Sequence, residues 1–283
     1  MNKKTVLYFR SCKYHPDHLK KLGIMFDVIY LDELSDIGYL TRELEKKIWA
    51  MLLPPIRVNN EGGFPEQAIT KAAYPDLEFL VCNQTNPTLK PSDGISLISL
   101  KGKQIRHSLT ATAEHTVGLI TRLHRSRGAP KKMLSRSHLL IIGYGRLGAM
   151  VKDRTDFLFG KVSWADEIES SLDPSGLAKY LEDVDFCSIH ADTSDELIGW
   201  PEFFALGPDG YLINTARHEN VKIQEADIAV SKGIIAGFAS DVDSHMNPEQ
   251  VPNCMLTNHI GGSTQDSWYL TQEYVVEELI ACT

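Results

Sequence analysis

Short apolar runs and helically spaced apolar positions alternate along nearly the whole chain. In the first hundred residues TVLYF (5–9) and DVIYL (27–31) read as strands. A charged helix follows over YLTRELEKKIWAML (39–52), then a helical PEQAITKAAY (65–74) and a strand-like LEFLVC (77–82). Such alternation predicts an α/β unit with a mostly parallel sheet, because parallel neighbours need a crossover between them. From Thr112, TAEHTVGLITRLHR carries Val117, Leu119, Ile120 and Leu123 at helical spacing. The basic stretch RSRGAPKKMLSRS (125–137), broken by glycine and proline, is the best linker candidate.

The pattern then restarts: strand HLLIIG, helix from Arg146 to Phe159, strand KVSWAD, helix PSGLAKYLED, strand DFCSIH, helix WPEFFAL, strand GYLINTA, helix IQEADIAVSKG, strand IIAGFASDV. Strands separated by helices of about ten residues are what a doubly wound sheet requires. The chain is thus expected to hold two α/β units joined near residue 107, with one more helix, SWYLTQEYVVEELI, after His259.

The bulk numbers narrow the function. At 283 residues there is ample sequence for buried cores, and 43% hydrophobic with 23% charged residues is ordinary for a globular protein. A net charge of −8 argues against coating nucleic acid or an anionic membrane and points to a small-molecule partner. The start MNKKTVLYFRSCK has too short an apolar run for a signal core, so the cytoplasm is expected. Cys12, Cys82, Cys187, Cys254 and Cys282 are odd in number and lack CxxC spacing, and the ten histidines form no HxxxH or HExxH pattern. Neither a disulfide framework nor a bound metal is expected.

In LLIIGYGRLGAMV the glycines Gly143, Gly145 and Gly148 form G-x-G-x-x-G, with Tyr144, Arg146 and Leu147 between them. Context strengthens the motif. An apolar strand runs into Gly143, and Leu147, Met150, Val151, Phe157 and Leu158 mark one helical face beyond it. In a Rossmann-type unit Gly143 permits the tight turn, Gly145 lets backbone approach a pyrophosphate, and Gly148 lets helix and strand pack closely. The helix N-terminus offers N–H groups to the phosphates. Asp166 ends the next strand, 23 residues after Gly143, where a carboxylate accepts hydrogen bonds from an adenosine ribose and repels a 2'-phosphate. The expected cofactor is therefore NAD; the bland alternative is that Asp166 merely begins a solvated turn.

With the glycine loop, TAEHTVGLI, YLINTARHENV, AGFASDV and LTNHIGGST in this order, the chain resembles the D-isomer-specific 2-hydroxyacid dehydrogenases, phosphoglycerate dehydrogenase among them, over roughly residues 75–280. The resemblance implies a Rossmann-type cofactor domain (108–259) inserted in a smaller flavodoxin-like substrate domain (1–107, completed by 260–283), and a homodimer. It implies hydride transfer between nicotinamide and a 2-hydroxy or 2-oxo acid. Arg217 corresponds to the arginine that grips the substrate carboxylate, with a fork that lysine would not reproduce. His259 corresponds to the acid/base, for which an imidazole titrating near neutrality is suited. Asp241 resembles the aspartate that touches the nicotinamide carboxamide, and Gly261 lies in the same motif. His190 and Thr215, at strand ends, are cofactor contacts or else buried, satisfied polar groups; Arg217 has the alternative of an ordinary surface ion pair.

The chain also departs from the family. The glutamate that pairs with the histidine has Met246 or Asn247 in its seat, which weakens both the basicity and the aim of the imidazole. Asp243 and Glu249 are nearby carboxylates, of which Glu249 is the candidate catalytic partner, and Asn247 offers a neutral hydrogen bond. In the expected substrate loop, CNQTNPTLKPSDG, the small residues are replaced by Asn83, Gln84, Thr85 and Asn86. His218 follows the arginine where the family has glycine, the segment before the glycine strand is short, and the C-terminus stops early. The alternative to an active dehydrogenase is an impaired or non-catalytic NAD-binding homologue, a sensor or scaffold.

Overall fold

A computed structural model describes residues 3–33, 36–37, 40, 42–45, 47–54, 69–85, 87, 89–126, 131–166, 176–242 and 253–283. The chain forms two compact units, one of residues 1–108 with 264–283 and one of residues 109–263.

The first unit contains β1 (Thr5–Phe9), α1 (Pro16–Met25), β2 (Asp27–Leu31), α2 (Arg42–Glu45), β3 (Ile48–Leu52), β4 (Phe79–Val81) and β5 (Ser96–Ile98). Its sheet is parallel in the order β2-β1-β3-β4-β5, the flavodoxin-like order. The helix expected over 39–52 is a correction. Among the described residues of this stretch Arg42–Glu45 alone is helical, and IWAML is the central strand, buried at every position. A five-residue apolar run buried on both faces shows no alternation, so its spacing does not separate strand from helix. Of the helix expected over 65–74, residues 65–68 lie outside the described residues and 71–73 form a turn.

The C-terminal helix, here numbered α8 (Gln265–Ala281), belongs to this first unit. Val275, Val276 and Leu279 are fully buried. Buried Gln272 accepts from the His15 amide at 2.8 Å and donates to the Lys13 carbonyl at 3.3 Å, fastening the helix to the turn after β1.

The second unit contains α3 (Ala111–Arg125), β6 (His138–Ile142), α4 (Arg146–Thr155), β7 (Lys161–Ala165), α5 (Ala178–Leu181), β8 (Phe186–Ile189), α6 (Trp200–Leu206), β9 (Tyr211–Asn214), α7 (Ile223–Ser231), β10 (Gly237–Ser240) and β11 (Cys254–Leu256). All six strands are parallel in the order β11-β10-β9-β8-β6-β7. Chain direction across the sheet reverses beside β6, so the carboxyl end of β6 is the switch point where ligands bind in open α/β sheets. The expected Rossmann-type architecture is what this unit has.

Both faces of this sheet are covered, and the strand sequences say how. Leu140 and Ile142 of β6 pack with Cys187, Ile189, Leu212 and Phe238 on one face, under Leu181, Phe203, Ala226 and Val230. Leu139 and Ile141 point the other way, to Phe186, Ile213 and Ala239 under Leu119, Ile120, Leu123 and Val151. Successive residues of one strand therefore feed two cores, which is why HLLII is apolar throughout. α4 ends at Thr155, short of the expected Phe159, and that ring caps the second core. The basic segment after α3 lies within this unit rather than at its border.

Candidate functional site

The residues singled out in the second unit lie along one edge of its sheet, because each follows the carboxyl end of a parallel strand. Gly143 follows β6, Asp166 β7, His190 β8, Thr215 and Arg217 β9, Asp241 β10, and His259 and Gly261 β11.

Gly143 adopts φ +88°, and a Cβ there would lie 2.4 Å from the Ala191 amide nitrogen. A Cβ at Gly148 would lie 2.0 Å from the Gly143 carbonyl oxygen, so α4 reaches the strand only because that side chain is missing. Gly145 differs: exposed, at the N-cap of α4, with open space where a Cβ would stand. A cradle with clear space above a helix N-terminus is the shape a dinucleotide pyrophosphate requires. The Tyr144 amide donates to the Asp166 carboxylate, and the Tyr144 ring stacks on Trp164 with centroids 4.5 Å apart. The loop and the acidic residue are thus tied to each other. Arg146 donates to the Leu109 carbonyl at 3.1 Å, and Leu147, in the first turn of α4, is half-buried. These residues fit a dinucleotide.

His190 is buried beside them. Its Nε2 lies 2.8 Å from Ser188 Oγ and its Nδ1 3.4 Å from Thr215 Oγ1, which in turn lies 3.0 Å from Thr116 Oγ1. Burial pushes the imidazole down to about 4, so it is neutral near pH 7.

Arg217 is held by its backbone. Fully buried Asn220 accepts from the Arg217 amide at 3.1 Å, and fully buried Asn214 donates to the Arg217 carbonyl at 2.8 Å. These two asparagines explain why NTARHEN has the composition it does. The guanidinium is partly exposed and pairs with Asp192 at 2.6 Å while donating to the Ala216 carbonyl at 2.9 Å. Asp192 went unnoticed in the sequence; its signal is its place two residues after His190, on the same edge.

Asp241 is buried and accepts from Thr257 Oγ1 at 2.5 Å, the Ile260 amide at 2.8 Å and the Gly261 amide at 2.7 Å, with His115 Nε2 at 3.5 Å. Burial alone would raise its carboxyl, but hydrogen bonds from His115, Thr257, Gly261 and Ile260 outweigh it and hold the group below the usual range. His115 was also missed, although it sits in the quoted TAEHTVGLI; its own turn of helix gives no hint of its distant partners. His259 is exposed, in the left-handed region at φ +53°, and its imidazole has no hydrogen-bond partner among the described residues. Met246, Asn247, Asp243 and Glu249 lie outside the described residues.

In the first unit, Asn83 and Gln84 follow β4. Asn83 Nδ2 donates to Thr271 Oγ1 at 3.4 Å, while its Oδ1 is buried without a partner among the described residues. The Gln84 carbonyl accepts from the Leu100 amide at 3.1 Å, Thr85 is half-buried, and Asn86 lies outside the described residues. Among the described residues no cluster of side chains is arranged to hold a metal, and no helix is long and apolar enough to cross a membrane.

Residues 98–261 match the model of a family described as D-isomer specific 2-hydroxyacid dehydrogenase, NAD binding domain. A D-3-phosphoglycerate dehydrogenase of Dictyostelium discoideum is 31% identical over 147 residues, 45% of this chain and 36% of that protein. A glyoxylate reductase of Thermococcus litoralis is 29% identical over 156 residues, 50% of this chain and 47% of that protein. The aligned part thus spans between a third and a half of these relatives' length. In fold the chain is similar to a 2-hydroxyacid dehydrogenase from Ketogulonicigenium vulgare Y25, with a TM-score of 0.78 at 20% identity, covering 100% of this chain and 96% of that one.

Proposed function

The chain belongs to the D-isomer specific 2-hydroxyacid dehydrogenase family, and from that premise we propose that it is an NAD-dependent oxidoreductase interconverting a 2-hydroxy acid and a 2-oxo acid. The observation that carries the reading is the single sheet edge bearing the glycine cradle, Asp166, His190, Arg217, Asp241 and His259. Bound NAD supplies the acceptor for the hydride that leaves C2 of the hydroxy acid.

The protein's own residues supply the rest. The amides of Gly145 and the first turn of α4 receive the pyrophosphate, and the carboxylate of Asp166 the adenosine ribose, where it disfavours a 2'-phosphate. Arg217 exchanges its exposed pairing with Asp192 for the substrate carboxylate and polarises the 2-oxo oxygen. His259 takes the hydroxyl proton as hydride leaves and returns it in the reducing direction. Asn83, Gln84, Thr85 and Asn86 offer neutral polar contacts to the substrate's remaining groups. A homodimer in the cytoplasm is part of the same reading, the dimer being checked by light scattering.

Incubation with NADH and a panel of 2-oxo acids, glyoxylate included, tests the proposal. Consumption of NADH with formation of the hydroxy acid is expected. NADH binding without oxidation would overturn it in favour of a second reading, an NAD-binding protein without turnover. That reading is supported by Met246 or Asn247 standing in the seat where the family has its glutamate. Met246→Glu and Asn247→Glu separate the two: turnover appearing from none identifies a non-catalytic natural protein. Loss of turnover in Glu249→Gln would identify Glu249 as the partner.

A further inference from the structure

We propose that His115 is a positioning residue of the reaction, acting through Thr257 and Asp241 on the backbone that aims His259; the inference rests on the dehydrogenase reading given above. The argument begins with proton counting. Thr257 Oγ1 lies 2.5 Å from Asp241 Oδ1 and 3.1 Å from His115 Nε2. A hydroxyl has one proton and an ionised carboxylate none to give, so Thr257 donates to Asp241. Its oxygen is then left to accept from His115, which fixes a hydrogen on Nε2. His115 thus donates to Thr257 and Thr257 to Asp241, and His115 Nε2 also lies 3.5 Å from Asp241 Oδ1, so all three side chains are coupled.

The chain ends on the loop of interest. Asp241 Oδ1 accepts from the Ile260 amide at 2.8 Å and Oδ2 from the Gly261 amide at 2.7 Å, the two peptide groups directly after His259. A Cβ at Gly261 would lie 2.8 Å from Asp241 Oδ2, 3.4 Å from His115 Cδ2 and 3.5 Å from Thr112 Cγ2, so the loop sits against all three side chains. Upstream, the Thr257 amide donates to the Ser240 carbonyl at 2.9 Å. His259 is thus pinned on both sides while its own side chain has no partner among the described residues. It stands at φ +53°, a conformation costly for a residue with a Cβ. This grip holds the backbone that carries the ring. His115, half-buried on the first turns of α3, closes the far end of it.

Three variants test the assignment. His115→Phe keeps a ring and removes the donor, His115→Gln returns an N–H donor, and Thr257→Val breaks the middle link. His115→Phe is expected to lower kcat about 10-fold with KM within about 2-fold, since a small misaiming of the acid/base acts on the chemical step. His115→Gln recovers most of the rate, and His115→Phe combined with Thr257→Val loses less than the product of the two single losses, as coupled neighbours do. Amide NMR supplies a readout independent of turnover: the Ile260 and Gly261 amide protons shift in His115→Phe and return in His115→Gln. Unmoved amides in His115→Phe, or losses that multiply in the double variant, would overturn the proposal. If the unaltered protein oxidises no NADH with any 2-oxo acid, the dehydrogenase reading fails, and with it the catalytic half of this proposal. The amide shifts still decide whether His115 grips the loop.

Discussion

Replacing His190 by glutamine removes a buried imidazole whose neutral state the fold depends on. The group titrates at 6.5 in an unconstrained chain and at about 4 in the folded one, because burial penalises its charged form. Since the folded value is the lower, the unfolded chain takes up the proton first as pH falls. The contribution to stability is complete above about pH 6.5 and is lost on acidification towards about pH 4. Linkage between these two values makes the native state about 2 kcal/mol less stable at pH 5 than at pH 7.5 from this residue alone. Glutamine can still hydrogen-bond to Ser188 and Thr215, so the variant chiefly deletes the titration. His18 and His138, which burial also lowers, remain in both proteins and cancel in the comparison. The assay is urea-dependent hydrogen exchange of β8 and β9 at the two pH values, which reports the second unit by itself. The pH-dependent loss is expected to shrink by about 2 kcal/mol in His190→Gln. Equal losses in the two proteins would refute the assignment of a buried, neutral His190.

Gly148→Ala places a methyl group against the Gly143 carbonyl, so α4 must move; thermal unfolding should show a loss of about 1–3 kcal/mol, and NADH titration weakened binding. Asp166→Ser removes both the ribose acceptor and the charge that opposes a 2'-phosphate, so fluorescence titration should show NADH weakened about 10-fold and NADPH strengthened relative to it. Arg217→Lys keeps the charge and loses the fork, and kcat/KM for the 2-oxo acid is expected to fall about 30-fold in steady-state assays. Asp192→Asn frees Arg217 from an exposed pair, so KM should fall while unfolding free energy changes by less than about 1 kcal/mol.

The sequence by itself determined the strands β6 to β10 and the glycine turn between β6 and α4. HLLII is a strand because apolar residues on both faces demand two cores. G-x-G-x-x-G after it is a turn into a helix because no other residue tolerates φ +88° at Gly143 and a carbonyl 2.0 Å from a Cβ at Gly148. The roles proposed for Arg217 and His259 rest on the order of motifs. The central strand Ile48–Leu52 reads as helix in the sequence, because a short apolar run with charged residues before it satisfies either period until its neighbours β1 and β4 are known.

What only the tertiary structure decided is who holds whom. His115 and Thr257 are 142 residues apart, and Arg217 and Asp192 are 25 apart; no local pattern records either pairing. Nor does the sequence tell that Asp241 fastens the loop of His259 through two backbone amides. Backbone groups are the same at every position, so their partners are fixed by where the strands bring them and not by which residues they belong to.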